Sequence, residues 1–283
     1  MPSDLLKLIR LSRLFDAAFP VVSLLLGAAV VGQLNSQRLF LLVAVVVILN
    51  SVAMIWNDIE DRRVDADNGR PELITTDSAV LQRLKIYVVM LAGLSLLIAW
   101  LANSTAFFVA IATLGVIWLY NSKPVQASRR PVLSIVVLSG AGAFLPYLFG
   151  LSLGNIEASA LAAGIFWWVG RISLSALKDY KDARGDARHH KKTFLLCYGA
   201  RKVAWVSATT FLAGYIGFIA IVAYSAGTTP WILPVLIAAI GMLTYVRWPL
   251  FRSKSTYGDL DNSFRKIAQY QLFLDAGVVL WLI

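Results

Sequence analysis

The chain has 283 residues, 58% of them hydrophobic and only 15% charged, a balance that excludes an ordinary soluble globular protein. Its net charge of +10 needs no nucleic acid partner, because the basic residues gather in segments between apolar runs. A single cysteine, Cys197, excludes an intramolecular disulfide and a thiolate metal cluster.

Apolar runs of about twenty residues recur along the whole chain, each long enough to cross roughly 30 Å of hydrocarbon as a helix. They fall near 16–33, 38–56, 84–102, 104–120, 132–151, 158–177, 203–224, 229–246 and 267–283. This predicts an all-α, polytopic membrane protein with nine transmembrane helices in a bundle. The intervening segments are too short for a separate soluble domain, so residues 1–283 are expected to form one membrane domain. Lys7, Arg10 and Arg13 before the first run are reminiscent of a secretory leader, but the polytopic pattern continues without a break and no cleavage site stands out.

If the N-terminus is cytoplasmic, the inward segments 1–15, 57–85, 121–131, 178–202 and 247–266 hold 24 of the 26 Lys and Arg residues. The remaining two are Arg38 and Arg171. The positive-inside rule therefore predicts a cytoplasmic N-terminus, and the basic face would attract anionic membrane lipids and phosphates.

The second run contains "LFLLVAVVVILNSVAMI", seventeen residues without a charge, and then gives way to Asn57, Asp58, Glu60, Asp61 and Asp65. The sixth ends in "LKDYKDARGD", which supplies Lys178, Asp179, Asp182 and Asp186. Four predicted crossings separate the clusters, so both emerge on the same, basic side. Asn57, Asp61 and Asp65 recur every four residues, while Asp179, Asp182 and Asp186 fall at i, i+3 and i+7. Helices that ran on past the membrane would place each set along one stripe.

Stacked carboxylates repel by a few tenths of a kcal/mol per pair, and a cation offsets that. Oxygen-only ligands suit Mg²⁺, which keeps several waters and is usually shared with substrate phosphates. Helix C-termini favour cations as well. The competing reading is a solvated face laced with ion pairs to Arg62, Arg63, Lys178 and Lys181. Recurrence at matching points of two four-helix units, 1–4 and 5–8, favours a shared metal–diphosphate site.

Asn57, Asp58, Asp61 and Asp65 match the pattern NDxxDxxxD, and Lys178, Asp179, Asp182, Gly185, Asp186 and Thr193 match KDxxDxxGDxxxxxxT. With Arg70 and Pro71 matching a following Arg-Pro element, the sequence resembles the UbiA superfamily of intramembrane prenyltransferases. The resemblance implies that Asn57, Asp58, Asp61, Asp65, Asp179, Asp182 and Asp186 hold two Mg²⁺ ions that clamp an isoprenyl diphosphate, with Asp61, Asp182 and Arg70 central to catalysis. Asn57, Arg70, Tyr120, Lys123, Arg129, Arg171 and Lys178 are the expected substrate contacts. The loop after helix 4 departs from the family's spacing: "YNSKPVQASRR" places Lys123 three residues after Tyr120, with Arg129 and Arg130 farther on.

The implied reaction is prenyl transfer to a lipophilic, aromatic acceptor, with the site opening on the cytoplasmic face. A membrane terpene cyclase would use the same diphosphate machinery without an acceptor. A cation transporter is disfavoured, since transport sites lie near the midplane; alcohol phosphotransferases are disfavoured by the lack of a glycine after the second aspartate of their motif. An allylic cation also demands a dry pocket of apolar and π-rich side chains, for which Trp56, Trp118, Tyr147, Phe166, Trp167 and Trp168 are candidates.

Arg171, inside the sixth span and two turns before Lys178, is expected to reach the diphosphate or to pair with a carboxylate, because an unpaired charge there costs a few kcal/mol. Asn50, two turns before Asn57, points either into the same cavity or into a helix–helix hydrogen bond. His189 and His190 diverge by about 100° on a helix and make poor joint ligands, so a solvated loop is expected. Pro20, Pro146 and Pro234 are potential kinks.

Overall fold

The computed structural model describes residues 14–67, 78–180, 182–226 and 257–282, and among these every regular element is helical. In chain order the helices are α1 (Ala18–Val30), α2 (Arg38–Asp67), α3 (Ser78–Ala102), α4 (Ser104–Asn121), α5 (Pro131–Leu151), α6 (Ala158–Leu177), α7 (Ala183–Arg188), α8 (Phe194–Ala226) and α9 (Tyr257–Trp281). Six segments are long and apolar enough to cross a membrane: Arg38–Arg62, Ser78–Ala102, Ser104–Asn121, Pro131–Leu151, Ala158–Tyr180 and Phe194–Ser225. α1 is apolar but only 13 residues long. α9 has 25 residues but retains Arg265, Lys266 and Asp275. The span expected near 229–246 and Pro234 lie outside the described residues.

Four apolar clusters fill the bundle among the described residues, and two of them are the largest. One joins α1 to α2, α3 and α4 through Leu24, Leu42, Val45, Leu49, Ala99 and Ala110, and the other joins α5, α6, α8 and α9 through Tyr147, Trp167, Phe211, Tyr215 and Val278. α1 and α5 cross at the centre, where glycines let the backbones touch. A Cβ on Gly27 would stand 2.1 Å from the Tyr147 carbonyl, and one on Gly150 would stand 2.1 Å from the Leu24 carbonyl. Small residues at helix crossings are the usual membrane solution, because lipid tails supply no hydrophobic drive between helices. Large apolar side chains point outward instead, among them Phe40, Met90, Trp100, Phe108, Trp205 and Phe273.

α5 changes register partway along. Gly140–Phe144 forms a π turn, in which the Leu145 amide bonds the Gly140 carbonyl, immediately before Pro146, which has no N–H to continue the ladder. The Trp168 indole N–H donates to the Val136 carbonyl at 3.1 Å and to Ser139 Oγ at 2.9 Å, binding α6 to this distorted stretch. Pro20 sits in the first turn of α1, where its missing N–H costs little.

Candidate active site

α2 is a continuous helix of 30 residues, about 45 Å long at 1.5 Å per residue. It outruns the apolar span that ends at Arg62 and carries Asn57, Asp58, Asp61 and Asp65 with it. Asp58 and Asp61 are buried and Asn57 partly so, while Glu60 is exposed. The stripe expected for this motif is therefore present in the backbone. Arg70 lies outside the described residues, and Asp65 is placed only as a position on α2.

The second motif does not continue its helix, which corrects the expected single stripe. α6 stops at Leu177, Lys178–Tyr180 forms a 3-10 turn, and α7 begins at Ala183. Leu177, Tyr180 and Ala183 are all buried, packed with Phe194, Leu195, Val203 and Ala204 of α8. Their three-residue spacing suits a 3-10 turn rather than an α-helix. The Tyr180 hydroxyl donates to the Ala200 carbonyl at 3.2 Å. Asp179 and Asp186 are buried, and Asp182 is half-buried at the start of α7.

α7 ends in a Schellman turn. The Lys191 amide reaches the Asp186 carbonyl at 2.9 Å, the His190 amide reaches that of Ala187 at 3.3 Å, and His190 takes the left-handed φ of 51°. This fold-back explains the His189–His190 pair without a metal and returns Lys191 to the face of α7 that bears Asp186. Thr193, the last residue of the second motif, then caps α8: its hydroxyl accepts from the Leu196 amide at 3.3 Å.

Lys191 joins the two motifs. Its ammonium donates to Asp61 Oδ2 at 2.8 Å and lies 3.7 Å from Asp186 Oδ1, with the three side chains only 12%, 8% and 3% exposed. Burial pushes the Asp186 carboxyl up to about 6, Lys191 opposes that rise, and Asp179, Asp182 and Asp61 add to it. Burial by itself would lower Lys191, but the Asp61 and Asp186 carboxylates outweigh it and hold the ammonium above the usual lysine value.

A second cation bridges to α4. Lys178 donates to the Tyr120 hydroxyl, sits 5.1 Å from the centre of the Tyr120 ring and lies 3.7 Å from Asp179. The Trp56 indole N–H donates to Ser122 Oγ at 3.0 Å, fixing the end of α4 to α2. Thus Asp61, Asp186, Asp179, Lys178 and Tyr120 are gathered from four elements. Lys123 and Arg129 are exposed on the loop after α4, where no contact with this group is seen.

Arg171 takes the second of its two expected roles. It pairs with Asp275 of α9 at 2.9 Å, with side chains 8% and 1% exposed, and its guanidinium lies 4.2 Å from the centre of the Phe19 ring. Tyr215 donates to the other Asp275 oxygen, and Gln271 links Tyr215 at 3.2 Å to Ser173 at 3.3 Å. These bonds satisfy both charges and tie α9 to α6 and α8.

The residues fit a hard divalent cation. Asp179 Oδ2 is a buried oxygen that accepts no hydrogen bond, a costly arrangement for a carboxylate unless a cation serves it, and Asp186 Oδ1 accepts no hydrogen bond though it lies 3.7 Å from the Lys191 ammonium. Among the described residues no three Asp, Glu, His or Cys side chains converge closely enough to cage an ion unaided.

Beneath α2's motif lies an apolar chamber of about 70 Å³, walled by α1, α2, α4 and α5 and lined by residues including Leu49, Asn50, Met54, Ile117, Pro146 and Phe149. Phe149 is its only aromatic wall residue among the described residues, which corrects the expected π-rich lining. Tyr147 and Trp167 are spent on the core, Phe166 and Trp118 face outward, and Trp168 braces the π turn. Asn50 lines the chamber, and its amide nitrogen finds no partner among the described residues. A larger cavity of about 660 Å³ opens at the opposite end of the bundle, between Gln33, Glu157 and Ser225. None of the aspartate-motif residues lines it.

Sequence reasoning missed Lys191, which looks like one more basic loop residue. The signal was its distance of five residues from Asp186, the spacing of a Schellman turn.

The chain as a whole is similar to known proteins. Digeranylgeranylglyceryl phosphate synthase of Thermococcus sibiricus is 28% identical over 178 residues, 62% of each chain. The bacteriochlorophyll synthase 34 kDa chain of Chloroflexus aurantiacus is 25% identical over 176 residues, 61% of this chain and 56% of that one. The chain thus spans about six-tenths of the length of the curated relatives it matches. A solved structure described as digeranylgeranylglyceryl phosphate synthase superposes with a TM-score of 0.74 at 15% identity, covering 99% of both chains. A UbiA homologue from Archaeoglobus fulgidus bound to GPP and Mg²⁺ superposes with a TM-score of 0.70 at 17% identity, covering 96% of this chain and 99% of that one. At these identities the structural likeness speaks for the fold alone, but residues 17–266 also match the UbiA prenyltransferase family as a whole, and the chain belongs to that family.

Proposed function

We propose that the chain transfers a prenyl group from an isoprenyl diphosphate to a lipophilic acceptor inside the membrane, with Mg²⁺ as cofactor. The observation that carries this reading is the meeting of two aspartate motifs, from α2 and from the α6–α7 tip, across one ammonium and above an apolar chamber. Structural neighbours bound to GPP or DMAPP together with Mg²⁺ support it.

Asn57, Asp58, Asp61 and Asp65 on one side, and Asp179, Asp182 and Asp186 on the other, would hold two Mg²⁺ ions. Bound there, the ions supply the positive charge that stabilises a leaving diphosphate as the allylic C–O bond breaks. Lys178, aimed by the Tyr120 hydroxyl, donates to the diphosphate oxygens, and Arg70 is the further donor implied by the family pattern. Leu49, Met54, Ile117 and Phe149 keep water from the carbon end of the substrate. The basic segments put the charged head on the cytoplasmic side.

The relatives' names concern digeranylgeranylglyceryl phosphate and bacteriochlorophyll, so the acceptor class is set by experiment. Purified protein is incubated with geranyl, farnesyl or geranylgeranyl diphosphate and Mg²⁺. Each donor is tested with a prenylglyceryl phosphate, a chlorophyll precursor, an aromatic quinone precursor or no acceptor. A prenylated product that needs both Mg²⁺ and an acceptor is expected. A cyclic hydrocarbon or alcohol formed without any acceptor would overturn transfer in favour of cyclisation.

A further inference from the structure

The ammonium of Lys191 touches one carboxylate from each motif, Asp61 at 2.8 Å and Asp186 at 3.7 Å. It comes from the turn after α7, between Asp186 and the closing Thr193 of the second motif, where the left-handed His190 and the Lys191–Asp186 backbone bond fix its approach. Those carboxylates cannot serve the ammonium and a divalent ion at full strength together, because two cations competing for one buried oxygen repel each other strongly at low dielectric. We propose that Lys191 is a tethered counter-ion that competes with the divalent cations for Asp61 and Asp186 and turns to the diphosphate when they bind.

This rests on the metal–diphosphate reading of the same site and adds a positioning residue to it. While paired, Lys191 neutralises repulsion between the motifs and holds the α7 tip against α2. Once the carboxylates turn to a metal, the ammonium is left within reach of the anion that the metal brings. Each of three partners then prefers the others' company: diphosphate removes Lys191 from the carboxylates and so strengthens metal binding, and by linkage metal strengthens diphosphate binding equally. Each ligand then binds better once the other is present.

The test measures Mn²⁺ binding to the detergent-solubilised full chain by electron paramagnetic resonance, with and without inorganic pyrophosphate, for wild type, Lys191→Met, Lys191→Arg and Asp61→Asn. Lys191→Met is expected to bind Mn²⁺ alone about tenfold more tightly than wild type, the scale of one lost competing ion pair. It should also lose most of the affinity gain that pyrophosphate gives wild type, while Lys191→Arg keeps both behaviours. Thermal unfolding in EDTA reports on folding, and a modest fall for Lys191→Met is expected from the lost bridge. Equal or weaker Mn²⁺ binding by folded Lys191→Met, with Asp61→Asn weakening it as a ligand loss should, would overturn the competition and leave the metal site standing. If Mn²⁺ binding is absent in wild type and Lys191→Met alike, or is indifferent to Asp61→Asn, the metal–diphosphate reading itself falls.

Discussion

The first acidic motif rides on an unbroken helix, Arg38–Asp67, while the second is spread over the 3-10 turn that follows α6, the short helix α7 and the turn after it. Between Asn57 and Asp65 there is neither glycine nor proline, and the helix that crossed the membrane simply continues. In the second motif Tyr180 and Ala183 are drawn into the apolar contact with α8, which costs the chain its α-helical period. One motif is thus positioned by stiffness and the other by packing.

The sharpest way to break this comparison is to remove one carboxylate from each side. Asp61→Asn and Asp182→Asn should each lower turnover by about a thousandfold or more, the scale of losing a principal electrostatic contact in a dry site. Both variants should remain folded, as judged by gel filtration and thermal unfolding in EDTA. Full activity in either would remove that motif from the reaction. Asp61→Asn further deprives Lys191 of its closer partner, so it should loosen the α7 tip.

The anchor of the packed side comes next. α6 leads directly into the second motif and is held to α9 by Arg171–Asp275, nearly excluded from solvent. Removing one partner of a buried pair costs about 3–5 kcal/mol, because the other charge is left behind. Asp275→Ala should therefore lower the thermal midpoint steeply, while Arg171→Met with Asp275→Leu should recover much of the loss. Solvent labelling of cysteines placed on α2 and α7 separates the two arms: Asp275→Ala should expose the α7 position and leave the α2 position protected. Equal exposure would mean that the arms share one support.

The apolar runs made the helical class and most spans legible, since length and hydrophobicity decide them alone. The aspartate pattern made visible which two helix ends belong together. Three features escaped for a common reason: each depends on who packs against whom. The break after Leu177 follows from burial against α8. The aliphatic chamber follows from Tyr147 and Trp167 being committed to the core. Lys191 becomes a site residue only through the turn at His190. Arg171 was readable as a charge that needed a partner, but its choice of Asp275, more than a hundred residues onward, was not, because residue spacing along one helix carries no information about a distant one.

Acid should weaken the site through the packed arm. Asp186 is raised to about 6 from 3.8, first by burial, so its carboxylate is available as a ligand above that value and is lost to a proton below it. Mn²⁺ affinity should fall by up to about tenfold per pH unit below 6, and Asp186→Asn should flatten that slope at a lower overall affinity. Lys191, held above the usual lysine value, stays charged throughout this range and does not contribute to the slope. Constant affinity between pH 7 and 5 would mean that Asp186 is not a ligand.

The smallest effect concerns the turn that delivers Lys191. His190 holds a φ of 51°, a region that costs a residue with a Cβ roughly 1 kcal/mol and costs glycine almost nothing. His190→Gly should therefore leave the turn intact and change stability by under about 1 kcal/mol, since relief of the backbone is offset by the freer unfolded chain. His190→Val should be worse than either, because a β-branched residue tolerates this region least. The consequence reaches the metal. If the Schellman turn is what aims Lys191, His190→Val should release the ammonium from Asp61 and tighten Mn²⁺ binding in the manner of Lys191→Met, while His190→Gly binds as wild type does. A valine variant with wild-type affinity would show instead that Lys191 is held by the carboxylates themselves and that the packed arm needs no help from its own backbone.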